Sequence, residues 1–171
     1  QYRHFRAFMT GLVLKLRAGR QKYPEFIFSP DAIPDAFIEL CESPTQVLFG
    51  TFHVGYSDLM GCMLKQFDRR VSMVRLKVRN SRDTTVMESA FKEYVSFIWI
   101  NEAEEFIFRL KEAIESGKSV GLQCDRTQFG SRLESFQFLG SRREFPFTIY
   151  HLSVLFRLPV VFSFTGPLSP D

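Results

Sequence analysis

The sequence predicts a single α/β domain, a mostly parallel sheet flanked by helices. Three observations carry that expectation. Short apolar runs of strand length alternate with segments of helical spacing along the whole chain. The length of 171 residues suits one domain with a sizeable core. Polar clusters follow directly on two of the apolar strands, where parallel sheets bind their ligands.

The elements follow in order. Arg3 to Lys22 reads as an amphipathic helix, with Phe5, Phe8, Met9, Leu12 and Leu16 on one face and Arg3, Arg6, Lys15, Arg17 and Arg20 on the other. Such a basic helix either packs on the core or lies on a membrane surface. Pro30 to Glu42 reads as a second helix stopped by Pro44. Gln46 to Thr51 is a buried strand leading to His53, and Ser57 to Gln66 returns to helical spacing. Val71 to Leu76 and Val95 to Ile100 read as strands on either side of a helix at Ser81 to Tyr94. Glu102 to Ser116 is a helix with Phe106, Leu110 and Ile114 on one face, and Gly117 ends it. Ser119 to Gln123 is a strand running into Cys124, Asp125 and Arg126. After a polar loop come Phe136 to Leu139, Gly140 and a basic turn at Arg142 and Arg143. A helix at Phe147 to Phe156 and a strand at Leu158 to Phe164 complete the chain.

Composition narrows the function. A formal charge of +3 is too small for a nucleic-acid binder driven by bulk charge. Cys41, Cys62 and Cys124 are odd in number and far apart, so neither a disulfide framework nor a CxxC metal knuckle is offered. No apolar run approaches the roughly 20 residues of a membrane span. The 20 Phe are the unusual feature. Phe97, Phe106, Phe108, Phe136, Phe138, Phe145 and Phe147 read mainly as core, with an acyl-chain groove as the alternative.

The most informative stretch is Gly50 to Asp58, in which a His and an Asp lie five residues apart at a strand-to-helix junction. On one regular helix that spacing is about 140° of rotation, so the two would not share a face. They meet only if His53 lies in the turn and Asp58 in the first helical turn, with Gly55 permitting the irregular backbone. The carboxylate would then hold one imidazole nitrogen and leave the other as a base. The alternative is a capping His and an Asp on a helix dipole. A pair without a nucleophilic third partner suits chemistry in which the substrate's own hydroxyl attacks. No G-x-S-x-G elbow or glycine-rich phosphate loop is present, and the three His lack metal-ligand spacing with one another.

The His-x4-Asp block, His53-Val54-Gly55-Tyr56-Ser57-Asp58, resembles the glycerolipid and lysophospholipid acyltransferase superfamily. Its surroundings are closer to the branch containing the late acyltransferases of lipid A biosynthesis, whose block has Asn and Glu where this chain has Tyr56 and Asp58. Val78-Arg79-Asn80, the segment from Gly117 to Arg126, Phe138-Leu139-Gly140 with Phe145-Pro146, and Leu158-Pro159-Val160-Val161 resemble further blocks of that branch in the same order. Pro146-Phe147-Thr148 departs from its usual Pro-x-Gly-Pro.

The resemblance implies a glycerol-3-phosphate acyltransferase-like fold and an O-acyltransferase. His53 would be the general base and Asp58 its orienting partner. Arg79 and Asn80 would sit near an anionic part of donor or acceptor, with Asp125 and Arg126 bordering the same cleft. The donor would be an acyl thioester of acyl carrier protein or coenzyme A, and the acceptor a hydroxyl of a lipid or glycolipid. No bound cofactor or metal is expected. The enzyme would work peripherally at the cytoplasmic face of a membrane. A thioesterase using the same pair on water, or a non-catalytic lipid-binding domain, are the alternatives. Relatives of this type are longer, so a C-terminal truncation is expected, with an exposed apolar edge near Leu158 to Phe164. Arg75, Lys77 and Arg79 should share one strand face and join Arg126, Arg142 and Arg143 in a basic patch for phosphates, an acidic carrier or anionic lipid.

Overall fold

The computed structural model describes residues 2–20, 22, 24–27, 34–76, 91–101, 103–127 and 132–166. Among them are helices α1 (Tyr2–Gly19), α2 (Pro34–Glu42), α3 (Met60–Lys65), α4 (Ala103–Glu115) and α5 (Thr148–Phe156). The strands are β1 (Leu48–Gly55), β2 (Val71–Arg75), β3 (Val95–Trp99), β4 (Ser119–Gln123), β5 (Leu133–Phe138), β6 (Ser141–Pro146) and β7 (Val160–Thr165).

Five strands form one sheet in the order β3-β2-β4-β1-β7, and each neighbouring pair is parallel. The runs that build it are nearly continuous in apolar residues because both faces are covered. Alternation decides which residue goes where. Val47, Phe49 and Val71 face Met60, Met63 and Leu64 of α3 and Cys41 of α2. Leu48, Val120 and Leu122 face Leu110, Ala113 and Ile114 of α4 and Ile149 and Leu152 of α5. The result is three layers, helices on sheet on helices. The expected face of Phe106, Leu110 and Ile114 is the one that α4 buries.

Topology sets the place of a site. β1 leaves toward β2 through α3 on one face, whereas β4 leaves toward β7 through α5 on the other. β1 and β4 are neighbours, aligned with Leu48 opposite Val120 and Thr51 opposite Gln123. Their connections therefore diverge to opposite faces and open a crevice at the carboxyl ends, the general ligand position in such sheets.

Several expectations are corrected by the backbone. β1 does not stop at Thr51 but runs to Gly55, past a shift of register against β7 between Thr51 and Gly55. His53 thus lies in an irregular strand overhang rather than in the turn. The segment after it opens as a tight 3-10 turn, Ser57–Leu59, before α3. Arg142 and Arg143 are not a turn. They belong to β6, which pairs antiparallel with β5 around a turn at Leu139 and Gly140, both at positive φ (48° and 77°). β7 is a sheet edge, and its Phe162 and Phe164 are 37% and 64% exposed. The helix expected at Ser81 to Tyr94 and the loop at Gly130 fall largely outside the described residues.

One buried cation organises the opposite end of the sheet. Arg69 is 9% exposed and makes five hydrogen bonds. Four go to the carbonyls of Leu40, Cys41, Ser43 and Thr45, at and just after the end of α2. The fifth goes to Ser119 Oγ at the start of β4. A helix C-terminus leaves carbonyls without partners and carries partial negative charge, and a planar guanidinium satisfies both needs.

Candidate active site

The crevice between β1 and β4 holds His53. The register shift in β1 takes the residues between Thr51 and Gly55 out of the regular ladder with β7 and re-aims them, as bulges beside sites do. Phe52 anchors the overhang, stacking on Phe164 at 5.3 Å between ring centroids and touching Phe162 and Phe145. Its neighbour His53 points the other way by alternation. Gly55, at φ 61°, then turns the chain, and the Tyr56 N–H donates to the Thr165 carbonyl at 3.0 Å.

The partner of His53 is Asp125, which follows β4. Asp125 Oδ2 accepts the His53 backbone N–H at 2.8 Å, and Oδ1 lies 2.8 Å from Nδ1. An ionised carboxylate can only accept, so the proton sits on Nδ1 and the lone pair of neutral imidazole sits on Nε2. Both side chains are partly open, 34% and 25% exposed. Burial pushes the Asp125 carboxyl up, but the two His53 hydrogen bonds and the His53 charge outweigh it, and the group lies below its ordinary value. Arg126 Nε lies 3.5 Å from the same Nδ1. Two donors cannot bond each other, so Arg126 is a charge at the rim.

Asp58 has other partners. Oδ2 forms an ion pair with Lys15 of α1, and Oδ1 accepts from Arg75 at the end of β2 at 3.1 Å. Among the described residues, no hydrogen bond joins Asp58 to His53. The five-residue spacing therefore does not produce the direct pair that the sequence suggested. Burial raises the Asp58 carboxyl, but Lys15, Arg75 and the nearby His53 together hold it below the usual range. Asp58, Arg75, Thr51 and Gln123 line a narrow notch floored by Met60 and Met73.

Of the expected site residues, His53, Asp58, Arg75, Asp125 and Arg126 all lie at the carboxyl end of the sheet. Arg79 and Asn80, with Lys77, lie outside the described residues. Of the expected six-cation patch, the structure describes Arg75, Arg126, Arg142 and Arg143. Arg75 is held by Asp58, and Arg142 and Arg143, adjacent in β6, project to opposite faces of the hairpin. Lys15 is the residue that sequence reasoning left out of the site. It was placed on the cationic face of α1, and only the docking of that helix brings it to Asp58.

The thiols are not nucleophile candidates. All three Cys are buried, and burial pushes Cys62 and Cys124 up to about 12. At neutral pH they stay protonated.

The Phe residues divide. Phe106 packs partly into the core, while Phe108 is 75% exposed. Phe136 and Phe138 of β5 are half-exposed and touch Phe145, which touches Phe52. A row of aromatic rings thus runs from the residue beside His53 to the hairpin. Among the described residues, no helix is long and apolar enough to cross a membrane.

No protein-family model matches the chain, and no curated protein matches it.

Proposed function

We propose that the chain is an O-acyltransferase that moves a fatty acyl group from a thioester of acyl carrier protein or coenzyme A to a hydroxyl of a lipid or glycolipid. The observation that carries the reading is the hydrogen bond from His53 Nδ1 to Asp125 at the crevice between β1 and β4. It leaves Nε2 as a base at the sheet's ligand-binding edge. In this reading Asp125 takes the orienting role that the motif resemblance gave to Asp58.

The chemistry needs no covalent enzyme intermediate. The acceptor hydroxyl donates to Nε2. As its oxygen attacks the thioester carbonyl, a C–O bond forms and the proton passes to Nε2. The Asp125 carboxylate stabilises the imidazolium that results. Collapse of the tetrahedral intermediate breaks the C–S bond, and the imidazolium returns the proton to the departing sulfur. Arg126, at the rim, and Arg75, beside the notch, attract the anionic parts of donor or acceptor. The half-exposed rings from Phe52 to Phe138 offer an apolar bed for the acyl chain. A membrane-borne acceptor places the enzyme at a lipid surface.

The test is an assay of acyl thioesters with and without lipid acceptors, resolving the acylated lipid from free fatty acid. Acylated lipid that depends on His53 supports the reading. Fatty acid released equally without acceptor would make the same pair a thioesterase, and no turnover with any thioester would remove the catalytic reading.

A further inference from the structure

Helix α1 is held to the body by one face and leaves a second apolar face uncovered. Leu14 and Ala18 pack against the cluster of Leu59, Cys62 and Phe91. Gly11 lies against the Tyr56 ring, and Lys15 pairs with Asp58. At about 100° per residue these four occupy one arc of the helix. Phe5, Phe8, Met9, Val13 and Leu16 fall on the adjoining arc and are 63%, 69%, 38%, 49% and 50% exposed. Leu12, half-buried, lies within that second arc.

The far border of that stripe is cationic, while Lys15 on the near border is paired with Asp58. The helix contains Arg3, Arg6, Lys15 and Arg17 and no Asp or Glu. Arg6 and Arg17 lie exposed along the far flank, and exposed Arg20 follows the helix end. An apolar stripe with guanidinium groups beside it and no carboxylate matches the boundary of an anionic bilayer, acyl chains below and phosphates at the rim. A symmetric contact with a second copy would instead bring like charges together. The helix is not apolar enough to span.

We propose that α1 docks in the plane of an anionic lipid surface, with Phe5, Phe8, Met9 and Leu16 in the headgroup–acyl boundary and Arg6, Arg17 and Arg20 against lipid phosphates. The Lys15–Asp58 pair clamps the docked helix to the rim of the notch, so the crevice is held at a fixed height above the lipid. The proposal names the surface for the membrane contact in the acyltransferase reading. Its test reads partitioning and not turnover, so either idea fails without the other.

The experiment is cosedimentation of the chain with vesicles of phosphatidylcholine alone and of mixed phosphatidylcholine and phosphatidylglycerol, at low and high salt. Light scattering of the free protein runs beside it. Binding should favour the anionic vesicles and weaken with salt. Each cation at such a surface is worth about fivefold in partitioning, so Arg6→Gln with Arg17→Gln should lose tenfold or more and with it the anionic preference. Phe5→Glu with Phe8→Glu, at exposed positions that leave the fold intact by circular dichroism, should lose at least as much. Equal binding to both vesicles, unchanged binding of the Phe5→Glu, Phe8→Glu variant, or a dimer that this variant dissolves with no vesicle binding would each overturn the proposal.

Discussion

Asp125 grips His53 twice, accepting its backbone N–H and its Nδ1 proton at 2.8 Å each, from 72 residues further along the chain. The grip depends on strand order. β4 lies beside β1, so the residue after one strand meets the overhang of the other. Asp58, nearer in sequence, is occupied by Lys15 and Arg75. Two carboxylates thus have two tasks, one orienting the imidazole and one tying α1 and β2 to the notch.

The acid limb of stability should report both carboxylates. Burial acts to raise Asp58 and Asp125, and their cationic and hydrogen-bonding partners outweigh it, so both lie below their unfolded values. The stability they contribute is present above the unfolded carboxylate pKa of about 4 and is lost as pH falls through the lower native values. The melting temperature should be level near neutrality and drop below about pH 4. Asp58→Asn should lower it at neutral pH by about 2–4 °C, roughly 1 kcal/mol for a part-exposed ion cluster, and should make the acid limb shallower. Melting curves across pH check this; an unchanged limb would show that Asp58 is not held ionised by its partners.

The turn at Gly55 should tolerate no side chain. Its φ is 61°, and a Cβ there would fall on the carbonyl oxygen of Thr165, which also accepts the Tyr56 N–H. Gly55→Ala should cost about 2 kcal/mol or more and displace the overhang that carries His53. Urea unfolding and turnover of the remaining folded protein should both decline. Full stability in the Ala variant would mean that the turn does not hold β1 against β7.

Arg69 separates stability from the site. Arg69→Ala strands buried carbonyls at the end of α2 and should cost about 3 kcal/mol or more in urea unfolding. Arg69→Lys keeps the charge without the planar fork and should fall between. Where either variant is folded, turnover should match the parent, because Arg69 contacts the start of β4 and not its end.

The sequence made the sheet legible and part of the site. Ser119–Gln123 reads as a strand and is one, because a run buried on both faces needs neither partner nor turn to be recognised. His53 was legible as a polar residue just after the buried run of β1, although the strand carries on past it to Gly55. Its partner was not, since which strand lies beside β1 is a matter of topology that no local spacing encodes. The outward face of α1 escaped for a related reason. Periodicity shows that Phe5, Phe8 and Leu16 share a face, but the contacts of Gly11, Leu14 and Ala18 decide that the body takes the other one. The turn at Leu139 and Gly140 did have a signal, alternating Phe136 and Phe138 before a Gly, which the adjacent arginines obscured.

The measurement closest to the central claim compares Asp125→Asn, Asp58→Asn and His53→Ala in the acyl-transfer assay, with turnover and apparent Michaelis constant read separately. His53→Ala should lose at least about a hundredfold in turnover, the lower end for removing a general base. Asp125→Asn should lose nearly as much, because an amide can donate to Nδ1 and move the imidazole proton to Nε2. Asp58→Asn should keep turnover within about tenfold, since it acts on the rim and not on the imidazole. Full turnover in Asp125→Asn together with loss in Asp58→Asn would contradict the account and return the orienting role to Asp58.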